Sequence, residues 1–182
     1  MNAGEVAPGE RKAAFPAQIG SAREAASTTI MLLRLGTRWF GVDVRSIEEV
    51  ALKGEVTRVP TAPNHILGVT TLRGRLVTVV GLEQMIGGPG MLSRESSATL
   101  PRLVVVRDGD YEMAVVAEGI SGMTDYVPAS GTGSDKAPTR SGFIRDEFDW
   151  HGNPVSLLDA PMLIATAAKL AGILTPSEEV EP

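Results

Sequence analysis

Short runs of β-type residues, separated by turn residues, recur along most of the chain and constrain its fold more than any other feature. Val, Leu, Ile and Thr dominate these runs, which begin near residue 28 and end near residue 158. The pattern predicts about eight short strands at spacings of roughly ten residues, with little helix. Such spacing is typical of a sandwich or small-barrel architecture, and two lobes that share strands would suit a chain of 182 residues.

Four hairpins are predicted, each from two β-type runs joined by a short connection that contains glycine. The paired runs are residues 28–36 with 38–44, 69–72 with 76–80, 102–108 with 111–120, and 143–150 with 153–158. The connecting glycines are Gly36, Gly74, Gly109 and Gly152. Because such tight connections join antiparallel neighbours, each pair is expected to be antiparallel.

Three segments are predicted to interrupt this strand pattern. Residues 45–52 place Ile47 and Val50 on one side of a helical turn or of a bent strand. The two prolines within residues 56–63 stop regular pairing, so the chain is expected to turn a corner there. Residues 129–140, which are rich in Gly, Ser and Pro, are expected to form an exposed, mobile loop.

Two short helices are predicted. The first covers residues 82–86 and stops at the Gly-Gly-Pro-Gly sequence of residues 87–90. The second covers residues 159–171, with Asp159 as its N-cap and Pro161 in its first turn.

One domain over residues 28–172 is expected between two flexible tails. Residues 1–27 mix Ala, Gly, Pro, Glu and Arg without periodicity, and residues 173–182 are acidic, so neither can bury enough surface to offset its ordering entropy. No apolar run has the length of a membrane span or the form of a signal peptide. We therefore expect a cytoplasmic protein.

Composition argues against several classes of function. The net charge is −5 and no Lys/Arg-rich run is present, which argues against binding to nucleic acid or to anionic membranes. Aromatic residues make up 4% of the chain, too few for a single-strand stacking platform. With no cysteine and only two histidines a thiolate zinc site cannot be built, and no Gly-rich segment matches a phosphate loop, so we expect no cofactor and no metal. The expected partners are proteins.

No catalytic set of residues is recognisable. No G-x-S-x-G elbow accompanies His65 or His151, so both histidines are expected to be surface residues or to have their hydrogen bonds satisfied. The acidic residues at 48–49 and 146–149 lack the ligand spacing of a calcium loop, which favours a solvated or partner-facing surface. The chain is therefore expected not to be an enzyme.

The stretch ILGVTTLRGRLVTVVGLEQMIG, residues 66–87, resembles the central signature of CheW-like domains, I-x-G-V-x-N-L-R-G followed by a run similar to V-x-P-V-V-D-L. The preceding FGVDV, residues 40–44, resembles the family's F/Y-G-I-D/P run, with Ile47 and Glu49 in register. The resemblance covers roughly residues 28–170. The residues that match the signature are Ile66, Gly68, Val69, Leu72, Arg73, Gly74, Val79, Val80 and Leu82.

The resemblance implies a mostly β fold: two small intertwined five-stranded SH3-like β-barrel lobes around a shared core, with short helices that include a C-terminal one. It implies a non-enzymatic scaffold that couples chemoreceptors to a CheA-type histidine kinase. The receptor's cytoplasmic hairpin tip would bind in a groove between the lobes, and the kinase's regulatory domain would bind one lobe. We expect association with chemoreceptor arrays, without nucleic-acid binding or membrane insertion.

The partner-binding residues implied by the resemblance are Ile47, Glu49, Gly68, Val69, Leu72, Arg73 and Gly74. Arg73, beside a glycine turn, would present planar donors to a partner's carboxylate or carbonyl groups; the alternative is that it ties the turn to the barrel. Glu49 would pair with Arg73 or with a partner. Ile47 and Val69 would contact a partner or belong to the core. The two glycines would permit positive φ or close backbone approach.

The chain departs from the family pattern near this signature. Thr71 replaces the usual Asn, and Thr78, Gly81 and Glu83 replace a proline, an acid and a basic residue. Loss of the acid and the base would remove a charge pair near the helix start, which bears on the expected kinase contact. One alternative is therefore a divergent adaptor that binds receptors but has weak or no kinase binding. A regulatory module that binds a small ligand between the lobes is a further alternative.

Overall fold

The computed structural model describes residues 27–86, 100–128 and 142–172. These residues form ten strands, two α-helices and a 3-10 turn at Val44–Ser46. The helices are α1 (Leu82–Ile86) and α2 (Ala160–Leu170). The strands are β1 (Thr28–Leu35), β2 (Arg38–Asp43), β3 (Ile47–Leu52), β4 (Ile66–Leu72), β5 (Arg75–Val80), β6 (Arg102–Asp108), β7 (Tyr111–Ala117), β8 (Gly119–Tyr126), β9 (Ile144–Trp150) and β10 (Asn153–Leu158).

The strands form two five-stranded sheets. The first sheet has the order β8-β1-β2-β10-β9, and the second sheet has the order β3-β6-β7-β5-β4. Each sheet contains one parallel pair, β2 with β10 and β5 with β7, beside its antiparallel pairs. The chain begins the first sheet, builds the whole second sheet, and then returns to complete the first. The two lobes are intertwined because the first sheet is made from both ends of the domain.

All four predicted hairpins are confirmed: β1 with β2, β4 with β5, β6 with β7, and β9 with β10. At Arg73-Gly74 the φ angles are 48° and 80°, and at His151-Gly152 they are 52° and 80°. Two successive positive φ angles are typical of a type I′ turn, whose twist matches that of the flanking strands. Glycine occupies the second position of both turns, where it adopts this conformation without a steric cost.

One apolar core joins the two sheets and α2. Its large members are fully buried, and burying each such side chain stabilises the fold by roughly 1.5–3 kcal/mol. They include Leu33, Phe40 and Leu158 from the first sheet, Val80, Val104 and Val115 from the second, and Leu163 from α2. The fold class implied by the resemblance, two five-stranded lobes around a shared core, is therefore confirmed.

The second lobe has an interior of its own. Its side chains come from the faces of β5, β6 and β7 that point away from the shared core, namely Val77, Val79, Leu103, Val105, Ala114 and Val116. Both faces of these central strands are therefore buried. This explains why β6 has a continuous apolar run from Leu103 to Val106 rather than an alternating pattern.

The prediction of about eight strands was two fewer than the ten observed, because β3 and β8 are also regular strands. The prediction that Ile47 and Val50 share one side was wrong: Ile47 packs against the shared core, whereas Val50 is exposed. In a strand these positions point in opposite directions, and pairing with β6 selects the strand over a helical turn. The sequence of β8, GISGMTDY, has low β propensity, and its pairing with β1 is long-range.

The predicted helices α1 and α2 are confirmed, and Oδ1 of Asp159 accepts the Met162 amide proton (2.9 Å) as the expected N-cap. Neither helix of the described residues is long and apolar enough to cross a membrane. Residues 53–65 form the expected corner, with one isolated bridge between Thr57 and Val69. Three predicted features lie outside the described residues: the two tails apart from Ser27, the Gly-Gly-Pro-Gly breaker, and the loop of residues 129–140.

Candidate functional site

Arg73 lies at the tip of the β4–β5 hairpin. Its φ of 48° places it in the left-handed region, and its side chain is 81% exposed. Its Nε atom lies 3.3 Å from Oε2 of Glu49 on β3. Both roles considered for Arg73 are compatible with this position: the side chain connects the turn to β3, yet most of its surface remains open to solvent.

Glu49 connects the two edges of the second sheet. β3 and β4 are the outermost strands of that sheet, so an ion pair between β3 and the β4–β5 turn requires the sheet to curl into a barrel. The Glu49 side chain is 11% exposed, and its Oε2 also lies 3.6 Å from Nη2 of Arg75 on β5. One largely buried carboxylate is thus shared by two guanidinium groups.

The ion pairs continue beyond Glu49 as a network of alternating charges, which we call the second-sheet network. Arg75 Nη1 lies 2.5 Å from Oε2 of Glu112 on β7, and Arg107 Nη2 on β6 lies 3.6 Å from the same oxygen. Arg107 Nη2 also lies 3.2 Å from Oε1 of Glu48. The network consists of Arg73, Glu49, Arg75, Glu112, Arg107 and Glu48.

The sequence did not indicate Arg75, Glu112 or Arg107 as site residues. Part of the network was readable, because the hairpin turn at Gly109-Asp110 places Arg107 directly opposite Glu112. The contact of Arg75 with both Glu49 and Glu112 had no such local signal. It depends on the parallel pairing of β5 with β7 and on the curl that brings β3 to β5.

Gly68 allows two backbone segments to meet closely. A Cβ atom at this position would lie 2.3 Å from the carbonyl oxygen of Thr57, and the φ angle of Gly68 is +148°. Thr57 and Val69 exchange two backbone hydrogen bonds of 2.8 Å at this crossing. The corner segment therefore packs on β4 only where a side chain is absent. Gly74 has open space around it, and its positive φ is its structural requirement.

The predicted apolar contact residues lie in different surroundings. Ile47 is half-buried against the shared core, and Leu72 is half-buried against the interior of the second lobe. Val69 is half-buried beside the Thr57 bridge. The structure thus brings Glu49 and Arg73 into contact, whereas Ile47 and Leu72 pack against separate apolar clusters.

Both histidines make contacts with neighbouring residues of the fold. His65 is buried, and its Nε2 lies 3.0 Å from the carbonyl oxygen of Ala167 in α2. His151 is exposed in the β9–β10 turn, where its ring lies 5.1 Å from that of Trp150. Within the part of the chain that the structure describes, no group of three His, Asp or Glu side chains could hold a metal ion.

A model of the CheW-like domain matches residues 29–168, which include every element that surrounds the second-sheet network. The chain belongs to the CheW-like domain family. Two curated relatives carry the name "Chemotaxis protein CheW". The protein from Klebsiella aerogenes is 27% identical over 100 residues, covering 55% of this chain and 58% of that protein. The protein from Thermotoga maritima is 31% identical over 81 residues, covering 44% of this chain and 50% of that protein.

A solved CheW-like structure shares the fold. The crystal structure of scaffolding protein TtCheW from Thermoanaerobacter tengcongensis matches with a TM-score of 0.62 and 17% identity, covering 74% of this chain and 90% of that chain. The curated relatives are matched over only 58% and 50% of their length. At this identity the solved structure supports the fold of the CheW-like domain.

Two of the four departures from the CheW-like pattern, Gly81 and Glu83, lie at the start of α1. Gly81 is buried between β5 and α1, and its amide donates to the carbonyl oxygen of His65 (2.9 Å). Glu83 is also buried, so a residue of the opposite charge to the family's base points into the protein. Thr78 is half-buried within β5. The charge pair that the family pattern implies near the start of α1 therefore cannot form between positions 81 and 83 of this chain.

Proposed function

We propose that this chain is a non-enzymatic adaptor that couples chemoreceptors to a CheA-type histidine kinase in the cytoplasm. Membership of the CheW-like family supports the scaffold role. Arg73 carries the proposal of receptor binding: it lies in the family's L-R-G signature and presents an exposed guanidinium on a tight turn. A planar guanidinium can donate two parallel hydrogen bonds to one carboxylate, which gives directional recognition.

The divergent adaptor, which binds receptors but has weak or no kinase binding, is the second candidate. It is favoured by the buried Gly81 and Glu83, which replace the family's acid and base. The two candidates predict the same receptor binding and different kinase binding, so one pair of titrations separates them.

The test is calorimetric titration of the full chain with two partners, a soluble cytoplasmic fragment of a chemoreceptor and the regulatory domain of a CheA-type kinase from the same organism. Micromolar or tighter binding to both supports the coupling role. Receptor binding without kinase binding supports the divergent adaptor. A folded protein that binds neither would falsify both.

Arg73→Ala tests the receptor contact itself. We expect about tenfold weaker receptor binding with unchanged thermal unfolding, because the residue would act at the interface. Arg45→Ala is the matched control, since Arg45 is similarly exposed and pairs with one carboxylate, Asp43 (2.7 Å), on the first sheet. Equal receptor affinity for wild type and Arg73→Ala would reject the role of Arg73.

A further inference from the structure

In the second-sheet network each acid is less exposed than the arginine beside it. Arg73 and Glu49 are 81% and 11% exposed, Arg75 and Glu112 are 37% and 19%, and Arg107 and Glu48 are 43% and 37%. The charges balance, but the guanidinium groups form the outer layer. The more exposed charges of this surface are therefore positive, and they fit a carboxylate of a protein partner.

We propose that Arg75 determines the specificity of this surface by allowing Arg73 to exchange between Glu49 and a partner's carboxylate. This inference rests on the proposed adaptor function. It adds a role for Arg75 and specifies that the partner contributes a carboxylate.

The need for Arg75 follows from the burial of Glu49. If Arg73 left Glu49 for a partner, a carboxylate that is 11% exposed would lose its ion pair, which is strongly unfavourable for a lone acid–arginine pair. Arg75 Nη2 already lies 3.6 Å from the same oxygen, so the Glu49 charge stays compensated. Arg73 can then leave at little electrostatic cost.

Arg75 is also better placed than Arg73 to remain with Glu49. It lies on β5 rather than in the turn, and its other terminal nitrogen is 2.5 Å from Glu112. Two acids on two strands thus fix its guanidinium between them. Arg73 has Glu49 as its one ion-pair partner among the described residues.

The first measurement needs no partner. In wild type and Arg75→Gln, the exchange of the Arg73 Nε proton with water is followed by NMR on the full chain. Without Arg75, Glu49 depends on Arg73 alone, so we expect this exchange to slow by about two- to fivefold. Unchanged or faster exchange would overturn the proposal. Arg45→Gln, which removes a separate ion pair on the first sheet, is the control and should have no effect.

The second measurement is binding to the chemoreceptor cytoplasmic fragment. We expect Arg75→Gln to weaken binding by about two- to fivefold and to shrink the effect of Arg73→Ala in the double variant. Additive effects of the two substitutions would contradict an enabling role for Arg75.

Glu112→Gln keeps the inference testable if Arg75→Gln unfolds. This variant leaves Arg75 in place but removes its second acid, so a smaller change in the same direction is expected. A wild type that binds no receptor fragment would overturn the adaptor function, whereas the proton exchange would still decide whether Arg75 controls Arg73.

Discussion

The two sheets have the same number of strands but are closed by different chemistry. The edges of the first sheet, β8 and β9, meet through Tyr126, whose hydroxyl donates to Oδ2 of Asp146 and whose ring lies 5.2 Å from that of Phe148. The edges of the second sheet meet through Glu49 and the exposed arginines of the second-sheet network.

We call the contact through Tyr126 the first closure and the contact through Glu49 the second closure. The first closure is structural, whereas the second is exchangeable. A buried aromatic ring excludes water and loses its packing energy if it leaves, so the first closure is suited to stability. An ion pair whose arginine is exposed and whose acid keeps a second arginine, as with Arg73 and Glu49, contributes little to stability and can be replaced by a pair with another protein. The second closure is therefore the better candidate for an interaction surface.

The largest expected effect comes from breaking the first closure. Tyr126→Ala removes a buried ring and its hydrogen bond, so we expect a loss of about 3–5 kcal/mol in the free energy of unfolding. Denaturant unfolding measures this loss. Tyr111→Ala is the matched control, because Tyr111 is exposed on the second sheet. A similar, small effect of the two substitutions would remove the distinction between the closures.

An intermediate effect is expected at alkaline pH. Burial and the hydrogen bond to Asp146 raise the pKa of Tyr126 to about 12, above the usual value of 10.0. Because the folded-state pKa is the higher one, Tyr126 contributes stability that is complete below about pH 10 and is lost as the pH rises towards 12.

Thermal unfolding between these pH values measures the loss, and Tyr126→Phe should reduce it. Tyr111→Phe leaves Tyr126 as the sole tyrosine, so tyrosinate absorbance then reports its titration directly. Ionisation with a midpoint near pH 10 in that variant would show that the first closure does not bury the hydroxyl.

The smallest expected effect comes from the second closure. Glu49→Gln preserves the shape of the side chain and removes its charge, and we expect a change below about 1 kcal/mol in the free energy of unfolding. Denaturant unfolding in low and high salt measures it. A loss comparable to that of Tyr126→Ala would mean that the network is a structural closure too, which would weaken the case for an exchangeable surface.

Local features of this protein could be predicted from sequence because neighbouring residues determine them. The turns at Arg73-Gly74 and His151-Gly152 depend on which residues tolerate positive φ, and the N-cap at Asp159 depends on a side chain that reaches an amide three residues ahead. The L-R-G signature likewise indicated the family and, through it, the fold.

Contacts between distant segments were decided only by the tertiary structure. Strand β8 forms because β1, about ninety residues earlier, offers it an edge. Ile47 and Val50 point apart because β6 pairs with β3. Arg75 reaches both Glu49 and Glu112 because the second sheet curls and pairs β5 with β7. Sequence alone determined the hairpins, the Asp159 cap and the family; the closure of each lobe and the contacts of Arg75 required the packed sheets, since the partners are far apart along the chain.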